Sequence, residues 1–292
     1  MTELPAEVLA WAESELGVTV ADVEPMAGGI DAHTCRLTLV DGSLVVLRLT
    51  EPGHHEDVEY LAQLLDVLAL TSVPSPRHLA HAASVGAGGR PAMLQSLLPG
   101  DPALPVEPPD AWLRELVGVV LRMQAVPVAD WMHDRASVRW RDLDEPVDVS
   151  GAGDRALLTG LRERGPAAPF SPVFGHDDFW AGNTLRDGER VVGVVDWGHA
   201  GVVSAARDVS YLVVDTSLCF GLDVGDRLVE MSTPRIEVDP EEMLVWTARS
   251  VLSSRYFAEW LPAWNGLGLP VTHEQAARRR TELLDRTLAR LG

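Results

Sequence analysis

Two short stretches carry residues whose types and spacing could do chemistry. FGHDDFWAGNTL, residues 174 to 185, sets His176, Asp178 and Asn183 in an HxDxxxxN array, and VVGVVDWG, residues 191 to 198, brings an apolar, β-branched run to an end on Asp196. Moving a γ-phosphoryl group asks little covalent work of a protein. It requires a carboxylate to orient the acceptor hydroxyl and hard oxygen ligands to keep Mg²⁺ on the phosphates. Asp178 suits the first task. The amide oxygen of Asn183 and the carboxylate of Asp196 suit the second. HxDxxxxN alone turns up by accident in roughly one chain in a hundred of this length, and a strand that ends on Asp shortly downstream makes accident rarer.

These residues need a scaffold, and 292 residues with 46% hydrophobic and 23% charged content can bury one large core or two. The opening segment places Leu4, Val8, Trp11, Ala12 and Leu16 at helical spacing among acidic residues, unlike a signal or transit peptide. Residues 18 to 50 alternate as three strands, with Asp41-Gly42 as a turn and Gly28-Gly29 breaking the first pair. A helix follows over residues 54 to 70, then a second strand pair with Gly88-Gly89 between its strands. The Pro-rich stretch from Pro99 to Pro109 separates this part from the rest, so the domains are expected to be 1–99 and 100–292. Beyond it, apolar spacing predicts helices over residues 109 to 126, 153 to 164, 239 to 261 and 272 to 291. The fold class expected is α+β, strands first and helices after.

Charge and cysteine usage narrow the partners. The net charge is -19, and all 24 basic residues are Arg, which argues against nucleic acid and suits a cationic small molecule. Two cysteines make neither a disulfide framework nor a zinc site and fit a reducing cytoplasm. No apolar run approaches membrane-spanning length, so no membrane partner is expected.

The order of the chemical residues is a catalytic Asp, an Asn after four intervening residues and a metal-binding Asp on the next hairpin. That is the order kinases use. The sequence resembles the aminoglycoside phosphotransferase and choline-kinase-like family, whose loop is usually HGDxxxxN and whose metal Asp is often followed by Trp, as in Asp196-Trp197. The resemblance runs along nearly the whole chain. It implies a bilobal protein-kinase-like fold, a small antiparallel-sheet N-lobe with one helix and a larger, mainly helical C-lobe. It also implies Mg²⁺ as cofactor and ATP or GTP as co-substrate. Gly28 and Gly29 would form the loop over the phosphates, and Arg48 would hold phosphates where kinases usually carry Lys. Backbone groups around Gln95 to Leu97 would receive the base. A charge inside the apolar run VVLRLT needs a partner, and Glu59 on the following helix is the expected one, with Glu56 one turn earlier as second choice. His176 would brace the loop, and Asp208 would support it through backbone hydrogen bonds.

Asp177 stands where the family usually has Gly, a residue that marks a backbone angle others resist; the spacing to Asn183 selects Asp178 as the catalytic carboxylate. The acceptor implied is a small-molecule hydroxyl, with an aminoglycoside or related amino sugar leading and choline-like alcohols, macrolides or another metabolite open. The protein would act as a monomer or homodimer. Two rival readings are a catalytically silent, nucleotide-binding pseudokinase and a metal hydrolase built on His176, Asp177 and Asp178.

Overall fold

A computed structural model describes residues 4–26, 32–50, 58–135, 149, 151–164 and 168–292, and these form two compact units. One comprises residues up to 100 together with 192–198; the other comprises 101–191 and 199–292.

The first unit begins with helix α1 (Ala6–Leu16), which ends at Gly17 in the left-handed conformation. Strands β1 (Val20–Pro25), β2 (Ala32–Leu39) and β3 (Leu44–Thr50) follow, then helix α2 (Val58–Leu68) and strands β4 (His78–Val85) and β5 (Arg90–Ser96). The strands form one antiparallel sheet in the order β1-β2-β3-β5-β4. Strand periodicity places Val45, Leu47 and Leu49 of β3 in a core with Leu37, Leu94 and the α1 residues Val8 and Ala12. The intervening residue Arg48 therefore leaves this core and stands on the other sheet face, opposite Met93 in register.

The second unit is mainly helical. Its elements are α3 (Asp110–Gln124), α4 (Ala152–Arg164), β6 (Pro172–Gly175) and β7 (Thr184–Asp187). Strand β8 (Arg190–Val194) carries the chain into the first unit, and β9 (Gly201–Ser204) returns it to the second. Helices α5 (Arg207–Cys219), α6 (Leu222–Ser232), α7 (Pro240–Ser253), α8 (Phe257–Gly266) and α9 (His273–Leu291) complete it. The expected helix over residues 239 to 261 is two helices, because a 3-10 turn over Ser254–Tyr256 interrupts it. Helix α6 was not expected from sequence. It begins after Gly221, whose φ of 132° is open to glycine alone, and buries Leu222, Val224 and Leu228.

The core of this unit collects Trp112, Leu116 and Val120 from α3, Leu212 from α5, and Val245 and Trp246 from α7. No helix among the described residues is long and apolar enough to cross a membrane.

Candidate active site

Strands β6 and β9 pair antiparallel from Pro172 opposite Ser204 to Gly175 opposite Gly201. This pairing sets the segment leaving β6 beside the start of α5. Gly175 makes the approach possible, since a Cβ there would lie 2.3 Å from Val203 Cγ2 and 2.6 Å from Asp208 Oδ2. The buried carboxylate of Asp208 then accepts the backbone N–H of His176 (2.7 Å) and of Asp177 (2.9 Å). Burial raises the Asp208 pKa; the backbone hydrogen bond from His176 and the charge of Arg207 work in the opposite direction.

The loop continues through residues that anchor it. His176, Phe179 and Ala181 are fully buried, and Ala181–Asn183 form a 3-10 turn. A Cβ on Gly182 would meet the Trp180 ring at 2.1 Å, so the indole lies directly over that glycine. Asn183 is turned back onto Asp178, its Nδ2 donating to the Asp178 carbonyl (2.9 Å) and to Asp178 Oδ2 (3.3 Å). With the amide nitrogen so engaged, Oδ1 is the atom Asn183 has to offer a cation. Asp177 has a φ of 65°, the left-handed angle that a Gly at this position would adopt without strain. Trp180 is half-buried over this turn.

Three residues of α5 that sequence reading passed over face this loop. Arg207 donates from Nε to Asp177 Oδ1 (2.7 Å) and from Nη2 to the Asp177 carbonyl (2.6 Å). The Tyr211 hydroxyl is hydrogen-bonded to Asp178, and burial with the nearby Asp178 charge lifts the Tyr211 pKa far above its ordinary range. Asp215, one turn further, is buried and accepts from Trp264 Nε1 (3.0 Å) and Cys219 Sγ (3.6 Å). Burial raises its pKa to about 7, opposed by those two hydrogen bonds and assisted by the charge of Asp178. The spacing 207, 211, 215 was the available signal, since four-residue steps place side chains on one helix face. An aromatic row extends from it, with Tyr211 edge-on to half-buried Trp260 at 6.2 Å and Trp260 edge-on to Trp264 at 6.1 Å.

The other expected residues lie in the first unit. Arg48 Nη2 is 3.0 Å from Asp196 Oδ1, with the two side chains 15% and 33% exposed. Asp196 follows β8 with a φ of 65°, and the next residue, Trp197, is buried and donates from Nε1 to the Val194 carbonyl. Trp197 is therefore a packing residue of this turn. Glu59 does not hold Arg48. It is exposed on α2, in the solvent stripe with Gln63 and Asp66, and makes no ion pair among the described residues. Val58 and Tyr60 on either side are the buried positions, so the helix rotation that packs them turns Glu59 outward. Glu56, Gly28 and Gly29 lie outside the described residues. Gln95 is in β5, between Val46 of β3 and His78 of β4, and Leu97 is the first residue after that strand.

The family profile described as "Phosphotransferase enzyme family" matches residues 22–246, which contain the HxDxxxxN loop and the Asp196 turn. The chain belongs to this family. Solved structures share its protein-kinase-like fold. Aminoglycoside phosphotransferase APH(4)-Ia, in a ternary complex with ADP and hygromycin B, has a TM-score of 0.68 at 17% identity, over 98% of this chain and 99% of that one. Macrolide 2'-phosphotransferase MphH from Brachybacterium faecium has a TM-score of 0.58 at 20% identity, over 95% and 98%. A putative aminoglycoside phosphotransferase from Ralstonia eutropha has a TM-score of 0.60 at 16% identity, over 98% and 97%. No curated protein matches the chain at a significant level.

Proposed function

We propose that this family member transfers the γ-phosphate of ATP or GTP to a hydroxyl of a small, cationic molecule, with an aminoglycoside or related amino sugar as the leading acceptor. The observation that carries the reading is the loop around Asp178. Its carboxylate is held between the Asn183 amide and the Tyr211 hydroxyl, on a turn braced by Asp208. Asp178 would orient the acceptor hydroxyl and accept its proton. The oxygen donors Asn183 Oδ1 and the Asp196 carboxylate suit Mg²⁺, which when bound neutralises charge on the phosphates. Arg48 would contact phosphate oxygens with its guanidinium, and the half-exposed Trp260 beside Tyr211 offers the acceptor a flat apolar wall. Acidity supports a cationic acceptor: the net charge is -19. The solved relative with hygromycin B bound supports an amino sugar, and the one named for macrolides keeps that class in the test.

The experiment is Mg²⁺-dependent ADP or GDP release against aminoglycosides, amino sugars, macrolides and choline-like alcohols, with Asp178→Asn as control. Release with one acceptor class, lost by about 10³-fold or more in the variant, is the expected result. Nucleotide binding with no turnover on any acceptor would instead favour a silent, nucleotide-binding role. A protein that binds no nucleotide would refute the reading.

A further inference from the structure

We propose that Arg207 is a positioning residue for phosphoryl transfer, holding Asp177, and with it the main chain that carries Asp178, in the left-handed turn that a glycine would otherwise supply. This rests on the phosphotransfer reading above. Every polar group of Asp177 is held by two consecutive residues at the start of α5. Its N–H donates to Asp208 Oδ1 (2.9 Å), its carbonyl accepts from Arg207 Nη2 (2.6 Å), and its carboxylate accepts from Arg207 Nε (2.7 Å). Holding carbonyl and side chain with one planar guanidinium restrains ψ and χ1 together, which a point charge would not do. That restraint offsets the strain of an L-residue at a φ of 65°.

The same guanidinium reaches Asp178 by a second route. Its Cζ lies 4.8 Å from the centre of the Tyr211 ring and 5.9 Å from that of Trp246, so Tyr211 is stacked under the cation while its hydroxyl bonds to Asp178. Charge adds a third argument. Asp177, Asp178 and Asp208 bring three carboxyl groups to one turn, and Asp177 and Arg207 are only 17% and 18% exposed. Without Arg207 the Asp177 carboxylate would be left beside two like charges with little solvent to screen it. The turn would then relax, and Asp178 is the next residue.

The test uses Arg207→Met, Arg207→Lys, Asp177→Gly and the double variant Asp177→Gly/Arg207→Met in the full chain. Each is assayed for MgATP turnover, with water and with the acceptor panel, and for thermal unfolding. Arg207→Met is expected to lower kcat about 100-fold while the KM for MgATP stays within about twofold, since misplacement of the base acts on the chemical step. Its melting temperature should fall by about 6–10 °C, the effect of stranding a buried charge. Arg207→Lys should recover only part of kcat, because it lacks the planar fork. The double variant should regain most of both losses, because glycine needs no clamp and leaves no charge behind. Wild-type kcat in Arg207→Met, or a double variant no better than Arg207→Met, would overturn the proposal. A wild type that turns over nothing would sink the phosphotransfer reading instead. The unfolding data then decide the clamp alone: cancelling losses support it, and additive losses overturn it.

Discussion

Asp215→Asn should remove part of the protein's dependence of stability on pH. Asp215 sits inside α5 with its carboxyl buried, and its pKa stands at about 7 against 3.8 for an unperturbed Asp. The folded state therefore keeps a proton on this group at pH values where the unfolded chain has lost it. Stability contributed by the protonated form is complete below pH about 4 and is lost as pH rises through about 7, at ~1.36 kcal/mol per pH unit. The full span is on the order of 4 kcal/mol, and the part lying between pH 5 and pH 8 is about 3 kcal/mol. Asparagine keeps an oxygen for Trp264 Nε1 and has no proton to lose. Guanidinium unfolding of both proteins at pH 5, 6, 7 and 8 isolates the effect, because titrating groups that do not interact with Asp215 cancel in the difference. The variant should gain on the wild type by about 3 kcal/mol across that range. Parallel curves, or a difference that grows towards acid, would refute the argument that burial has raised this carboxyl.

Two further perturbations test the packing of the second unit. Gly182→Ala puts a methyl where the Trp180 ring lies at 2.1 Å, so the indole must swing away and the turn ending at Asn183 must shift. Destabilisation of about 1–3 kcal/mol in chemical denaturation is expected, with recovery when Trp180→Ala is added. Arg280→Met leaves Asp154, 12% exposed, without the guanidinium that joins α4 to α9. That change should cost about 3–5 kcal/mol in the same assay, and Asp154→Asn in the same chain should return much of it.

The strands around Arg48 and the helices α1, α3 and α9 were legible because burial imposes a period of two or 3.6 on the residues that face the core. The HxDxxxxN array was legible for a different reason. HxDxxxxN is local in sequence, and so short a loop cannot place Asp178 and Asn183 far apart. Helix α6 and the break between α7 and α8 were not legible: α6 starts at a glycine angle, and Ser254–Tyr256 interrupt a run whose apolar spacing continues on both sides.

Residue type and spacing by themselves determined that Asp178 and Asn183 share a turn and that Arg48 sits inside an apolar strand. Tertiary structure decided which partners these groups meet. Arg48 pairs with Asp196, more than a hundred residues on, and Glu59 goes to solvent because α2 packs its neighbours inward. Arg207 reaches back across thirty residues to Asp177 because β6 and β9 pair and bring the start of α5 to the loop. Periodicity reports only which face of an element is buried. Ion-pair choice depends on how that face is rotated and on what another element presents to it, and both are set when the elements pack.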